Sequence, residues 1–159
     1  MKFIALSALA FAASVVADFV IYYEEAEELN PFGDTISTSS FRVFNGVPSC
    51  GDVDSYATLP AAADASSPGY SRCSGCGDWS DIANWDVQEV ELHSNSDWGH
   101  YTIYKDSGYQ LTPADGGDLQ GSCVWDFDPE PYGCNPGGAF AVGYRLFSCT
   151  SPKGGIQGN

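Results

Sequence analysis

From Val87 to Gln110 the chain reads VQEVELHSNSDWGHYTIYKDSGYQ, and a β-hairpin is the backbone arrangement that suits it best. Val90 and Leu92 alternate with Glu89, Glu91 and His93, and then Tyr101 and Ile103 alternate with His100, Thr102 and Tyr104. A period of two in β-branched and aromatic residues marks strands with one buried face. Ser94 to Gly99 supplies the turn, since Asn and Asp side chains bond their own backbone and glycine accepts positive φ. This hairpin predicts an all-β domain around it, a disulfide-stapled sandwich or Greek key with at most a short helix.

The N-terminus has a different character. Met1-Lys2 is a short positive region, Phe3 to Val16 is an apolar run, and Val15-Val16-Ala17 offers small or β-branched residues for cleavage. This predicts a secretory signal peptide over residues 1–17, because about fourteen apolar residues fall short of the roughly 20 that a spanning helix needs. A single domain is then expected over residues 18–150, with a frayed tail over 151–159. No membrane anchor is expected.

All six cysteines, Cys50, Cys73, Cys76, Cys123, Cys134 and Cys149, follow the leader. An even count in an exported chain implies disulfides, whose pairing sequence does not fix. Closure of the local loop between Cys123 and Cys134 is the pairing we expect first. The formal net charge is −15, and loss of Lys2 with the leader makes it more negative. Phosphate backbones and anionic membrane surfaces are repelled by such a chain, so neither nucleic acid nor membrane is an expected partner.

Asp18 to Tyr23 reads as a first strand, running into the acidic stretch Glu24 to Glu28, which reads as a solvated loop or one helical turn stopped by Pro31. Thr35 to Phe44 is a second strand. Ala57 to Ala65 has the composition of a short helix within a Gly/Ser/Asp-rich segment. Ser122 to Phe127 is a strand, Asp128 to Gly138 reads as irregular because of its three prolines, and Ala139 to Cys149 is a strand pair or one bent strand.

Chemistry has few footholds. Cys73-x-x-Cys76 lacks the second half of a zinc site, so a structural disulfide is the better reading. No Gly-x-Ser-x-Gly elbow occurs. His93 and His100 flank the hairpin turn near Glu89 and Glu91, which makes Glu91, His93 and His100 the candidate acid–base set, with Arg145 or Lys105 as the cation a phosphodiesterase would need. Loop carboxylates such as Asp78, Asp81 and Asp86 are the kind of oxygen ligands calcium takes, but no 12-residue calcium loop is present. Calcium is the one ion these loops could hold; no other cofactor and no defined metal site is expected. Trp98 at the turn and Tyr109 beyond it are the candidate rings for stacking on a sugar or anchoring a protein partner.

Leader, six cysteines and the lack of a catalytic signature resemble fungal small secreted cysteine-rich proteins, a broad category of effector-like factors. Locally, Tyr104-Lys-Asp-Ser-Gly-Tyr-Gln110 resembles the first hairpin of a βγ-crystallin Greek key, and Gly143-Tyr-Arg-Leu-Phe147 is similar to a second such strand. Leu111 stands where that motif has glycine. These resemblances imply a virulence- or toxin-like binding protein directed at a host or competitor protein or a cell-wall glycan. The competing expectations are a secreted hydrolase of glycans or RNA, and a carbohydrate-binding module.

Overall fold

The structure, a computed structural model, describes residues 18–158; the expected leader, residues 1–17, lies outside them. The strands are β1 (Phe19–Leu29), β2 (Thr35–Phe44), β3 (Leu59–Pro60), β4 (Tyr70–Ser74), β5 (Glu89–His93), β6 (His100–Tyr104), β7 (Gln110–Pro113), β8 (Ser122–Trp125), β9 (Tyr132–Cys134) and β10 (Phe140–Thr150), with one α-helix, α1 (Cys50–Ser55), and short 3-10 turns at Trp79–Asn84, Lys105–Ser107 and Pro136–Gly138. The all-β expectation, with one short helix and three disulfides, holds.

The strands form one sheet in the order 3-2-1-10-8-7-6-5-4, with β9 paired to β10 off this path. After its long excursion the chain returns β10 to the side of β1, giving the 10-1-2-3 order of a Greek key, and β4 to β8 follow as a meander. The two ends of the path then meet. Ala61 bridges Ser71, Ala62 N–H donates to the Ser71 carbonyl at 2.8 Å, and the Ser71 hydroxyl donates to the Leu59 carbonyl at 2.7 Å. The sheet therefore curls round on itself, which covers most of its edges.

Alternation along each strand sends one set of side chains into the enclosed core: Ile21, Phe41, Val43, Val90, Leu92, Ile103, Leu111 and Phe147 are all buried. Each contributes roughly 1.5–3 kcal/mol by leaving water. The hairpin that anchors the sequence reading forms as expected, with Glu89 opposite Tyr104 and His93 opposite His100.

A second, smaller layer lies outside the sheet. Val20, Tyr22 and Phe44 face outward from β1 and β2 and are covered by Val53 of α1, Cys134 of β9, and the rings of Tyr56 and Tyr132. The helix starts at a capping box, in which the Ser49 hydroxyl accepts from Asp52 N–H and the Asp52 carboxylate accepts from Ser49 N–H at 2.8 Å. That cap lies upstream of the alanine-rich segment expected to be helical. Leu59-Pro60 instead pairs with β2, where partner hydrogen bonds outweigh alanine's intrinsic preference.

Other expectations also change. The acidic run is not a loop. Glu24 to Glu27 are paired on one side to β2 and on the other to β10, so two ladders hold it extended. Asp128–Gly138 contains β9, which pairs with Ala141 to Gly143. Cys123 joins Cys149 across directly opposed strands, and Cys134 joins Cys50, so the Cys123–Cys134 pairing is wrong. Cys73 joins Cys76, a pairing the sequence left open. The tail packs rather than frays: Ile156 is buried, its N–H donates to the Val43 carbonyl at 2.9 Å, and its own carbonyl accepts from Ala57 N–H at 2.8 Å. Among the described residues no helix is long and apolar enough to cross a membrane.

Candidate functional site

Two surfaces carry features beyond packing. The first is the outward face of β4 to β7. Its rows run Tyr70, His93, His100; then Arg72, Glu91, Thr102, Thr112; then Ser74, Glu89, Tyr104, Gln110. Glu91, His93 and His100 are thus brought together by the register of one hairpin. Glu91 accepts from His100 Nε2 at 2.7 Å and from Arg72 Nε at 2.8 Å, while Arg72 also pairs with Glu89. Burial raises the Glu91 carboxyl's pKa, but the hydrogen bonds from Arg72 and His100 outweigh it and hold it below its ordinary value. The two imidazoles stack at 4.0 Å with nearly parallel planes. His93 Nδ1 lies 3.0 Å from the Ala65 carbonyl, which only accepts, so Nδ1 carries the proton and Nε2 is left as acceptor. By the same logic Glu91 fixes the proton of neutral His100 on Nε2 and leaves Nδ1 as its basic nitrogen.

The cation of this cluster is Arg72, which the sequence reading did not single out. Arg145 instead pairs with Asp126 and Asp128, and Lys105 with Asp86. Arg72 sits in a Gly/Ser/Cys-rich stretch too short to show a period, and only pairing with β5 places it.

The two rings expected to bind a ligand are structural. Trp98 is 7% exposed, packed edge-on to Phe19 and Tyr101, and its indole N–H donates to the Gly154 carbonyl at 2.8 Å. Turns usually expose their side chains, but the tail folds over this one. Tyr109 takes positive φ (56°), stands against Phe147, and donates its hydroxyl to the Val87 carbonyl at 2.9 Å. Trp98 offers no platform to a sugar, while Tyr109 stays half-buried. Among the described residues no three His, Cys, Asp or Glu side chains converge as metal ligands would.

The second surface is an arm. β1 and β2 continue as a pair to Leu29 and Thr35, whereas β10 stops pairing at Phe140, opposite Glu27. The tip is fixed by Asn30, whose side-chain carbonyl accepts from Phe32 N–H and Asp34 N–H, both at 2.9 Å, and Gly33 supplies the positive φ that the turn requires. This rigid turn leaves Phe32 91% and Leu29 74% exposed, with Ile36 and Phe140 also exposed nearby. Glu27, Glu28 and Asp34 surround them, and no Lys or Arg occurs from Asp18 to Phe41. A hollow of about 390 Å³ lies alongside the arm, lined by Glu27, Leu29, Thr35 and Phe140 among others. The sequence reading gave Leu29 and Phe32 no role, although two apolar residues flanking Asn30-Pro31 were the signal available.

Comparison with protein-family models, curated proteins and solved structures finds no match for this chain.

Proposed function

We propose that this is an exported, non-enzymatic protein that acts by binding another protein through the β1–β2 arm, in the manner of a fungal effector or toxin-like factor directed at a host or competitor. The observation that carries it is a pre-shaped turn holding Phe32 almost wholly in solvent. Exposed apolar groups on a rigid support have little ordering entropy left to lose on binding. Three disulfides and a leader-like N-terminus support an oxidising destination.

Leu29→Ser/Phe32→Ser removes this patch without touching the core, so stability should change by no more than about 0.5 kcal/mol. The chain from residue 18 onward, cross-linked into host or competitor extracts, is expected to capture a protein that the double variant does not. Identical capture by both overturns the arm as the binding surface.

A second reading has its own observation, the assembly of Glu91, His93, His100 and Arg72 on one sheet face. An oriented imidazole beside a carboxylate and a guanidinium is acid–base machinery for hydrolysing a cell-wall glycan or RNA. In that reading His100→Ala lowers hydrolysis by about 10²–10⁴-fold with folding intact. Absence of hydrolysis by the unaltered protein on both substrate classes removes it.

A further inference from the structure

The arm carries a second feature, independent of its exposed rings. Along β2 the Ser39 carbonyl accepts from Ala61 N–H and the Val43 carbonyl from Ile156 N–H, so the odd-numbered residues of this strand turn their backbone groups away from β1. Peptide groups alternate along a strand, which places the N–H and C=O of Thr35 and Ser37 on the same outer edge. β3 reaches only Ser40 and Phe41, and residues 35–38 are all exposed. Here a sheet that is otherwise curled shut presents a short open edge. Thr35-Ile-Ser-Thr38 itself contains no lysine, proline or bulge to block an incoming strand.

Resting on the arm as the binding surface, we infer that this edge captures an extended segment of the partner as an added strand, and that the segment alternates basic and apolar residues. Main-chain hydrogen bonds to Thr35 and Ser37 supply the pairing. Ile36 gives the apolar residues, on one face of the added strand, a neighbour, and Glu27, paired to Ser37 on the opposite face, selects the basic ones, with Glu28 and Asp34 adding to the negative field. The same charge opposes pairing of two arms from copies of this chain: each brings Glu25, Glu27, Glu28 and Asp34 and no cation to balance them.

The test uses the oxidised chain from residue 18 onward and a short peptide of alternating lysine and valine, titrated at low salt. Controls are an alternating glutamate–valine peptide and the lysine–valine peptide methylated on alternate backbone nitrogens. The first peptide is expected to bind, and both controls to bind at least about tenfold more weakly. Ser37→Pro removes an N–H that faces away from β1, so the hairpin keeps its own ladder, and it is expected to weaken binding of the lysine–valine peptide by about tenfold.

No binding of that peptide, or equal binding by Ser37→Pro and by the methylated peptide, overturns the added strand. If Ser37→Pro binds normally while Leu29→Ser/Phe32→Ser still loses its partner in extracts, the arm stands and only the strand capture falls. Self-association of the unaltered protein that Ser37→Pro abolishes would make a second copy the occupant, and would also overturn the inference.

Discussion

Removing the Cys50–Cys134 bridge by Cys50→Ser/Cys134→Ser is expected to lower the unfolding free energy by about 4.5 kcal/mol, more than the loss of either other bridge. The chain-entropy argument sets the order. A cross-link restricts the unfolded ensemble more as the loop it closes grows. Cys50–Cys134 spans 84 residues, Cys123–Cys149 spans 26 and Cys73–Cys76 spans 3. The same relation gives about 3.5 kcal/mol for Cys123–Cys149 and about 1.6 kcal/mol for Cys73–Cys76. Native packing reinforces the first value, because Cys134 is part of the small outer layer and Cys50 opens α1. Denaturant unfolding of the three double-serine variants measures all three, with equal slopes required before the midpoints are compared. Losses that do not follow loop length would show that the bridges act through native-state strain or packing instead.

The reason this pairing escaped sequence reading is itself physical. Cys123 and Cys134 are near neighbours in the chain, and proximity favours local closure. The register of β8 on β10 sets Cys123 directly opposite Cys149, and register is a property of two strands jointly. The hairpin at 89–104 was legible because its alternation is local and both strands lie beside the turn. Glu24 to Glu28 was not, because four glutamates around a single alanine carry no period of two in hydrophobicity. Their strand state comes from pairing with β2 across the adjacent turn and, for Glu24 to Glu27, with β10 from the far end of the chain. The candidate sites divide the same way. Glu91, His93 and His100 lie within one hairpin and were found together, whereas Arg72 enters from β4 and was missed. Trp98 was placed in solvent because a turn exposes its residues unless a remote segment covers it. Here Gly154 and Lys153 do, the latter donating to the Trp98 carbonyl at 3.1 Å.

Glu24→Leu is expected to cost the fold about as much as loss of the longest disulfide. Glu24 faces outward from β1, yet the α1 and β9 layer seals it in, and it pairs with Arg42 at 3.1 Å with both side chains only 3% exposed. Arg42 also donates to the Val53 and Tyr56 carbonyls, so one guanidinium ties the β1–β2 sheet to the C-terminal half of α1 and the residue after it. The Tyr132 hydroxyl and the Ser40 hydroxyl both donate to the same carboxylate, at 2.6 and 3.2 Å. Glu24→Leu keeps the volume but strands a buried guanidinium, and a broken buried pair of this kind costs about 3–5 kcal/mol. Arg42→Leu added to it removes the orphaned charge and should regain part of that loss. The recovery is incomplete, because the Val53 and Tyr56 carbonyls then lack a donor, each at about 1–3 kcal/mol.

Alkaline pH probes the same cluster from another side. Burial, followed by the neighbouring Glu24 charge, raises the Tyr132 phenol far above its ordinary value of 10. Its stabilising effect is therefore complete below pH 10 and is lost as pH rises beyond that. Tyr132→Phe should show a flatter stability profile than the unaltered protein above pH 10. Urea unfolding of the single and double Glu24 variants at pH 7 decides the main point: a loss below about 1 kcal/mol for Glu24→Leu would mean that water reaches Arg42, and that α1 is held by Cys50–Cys134 and the apolar contacts of Val53 alone.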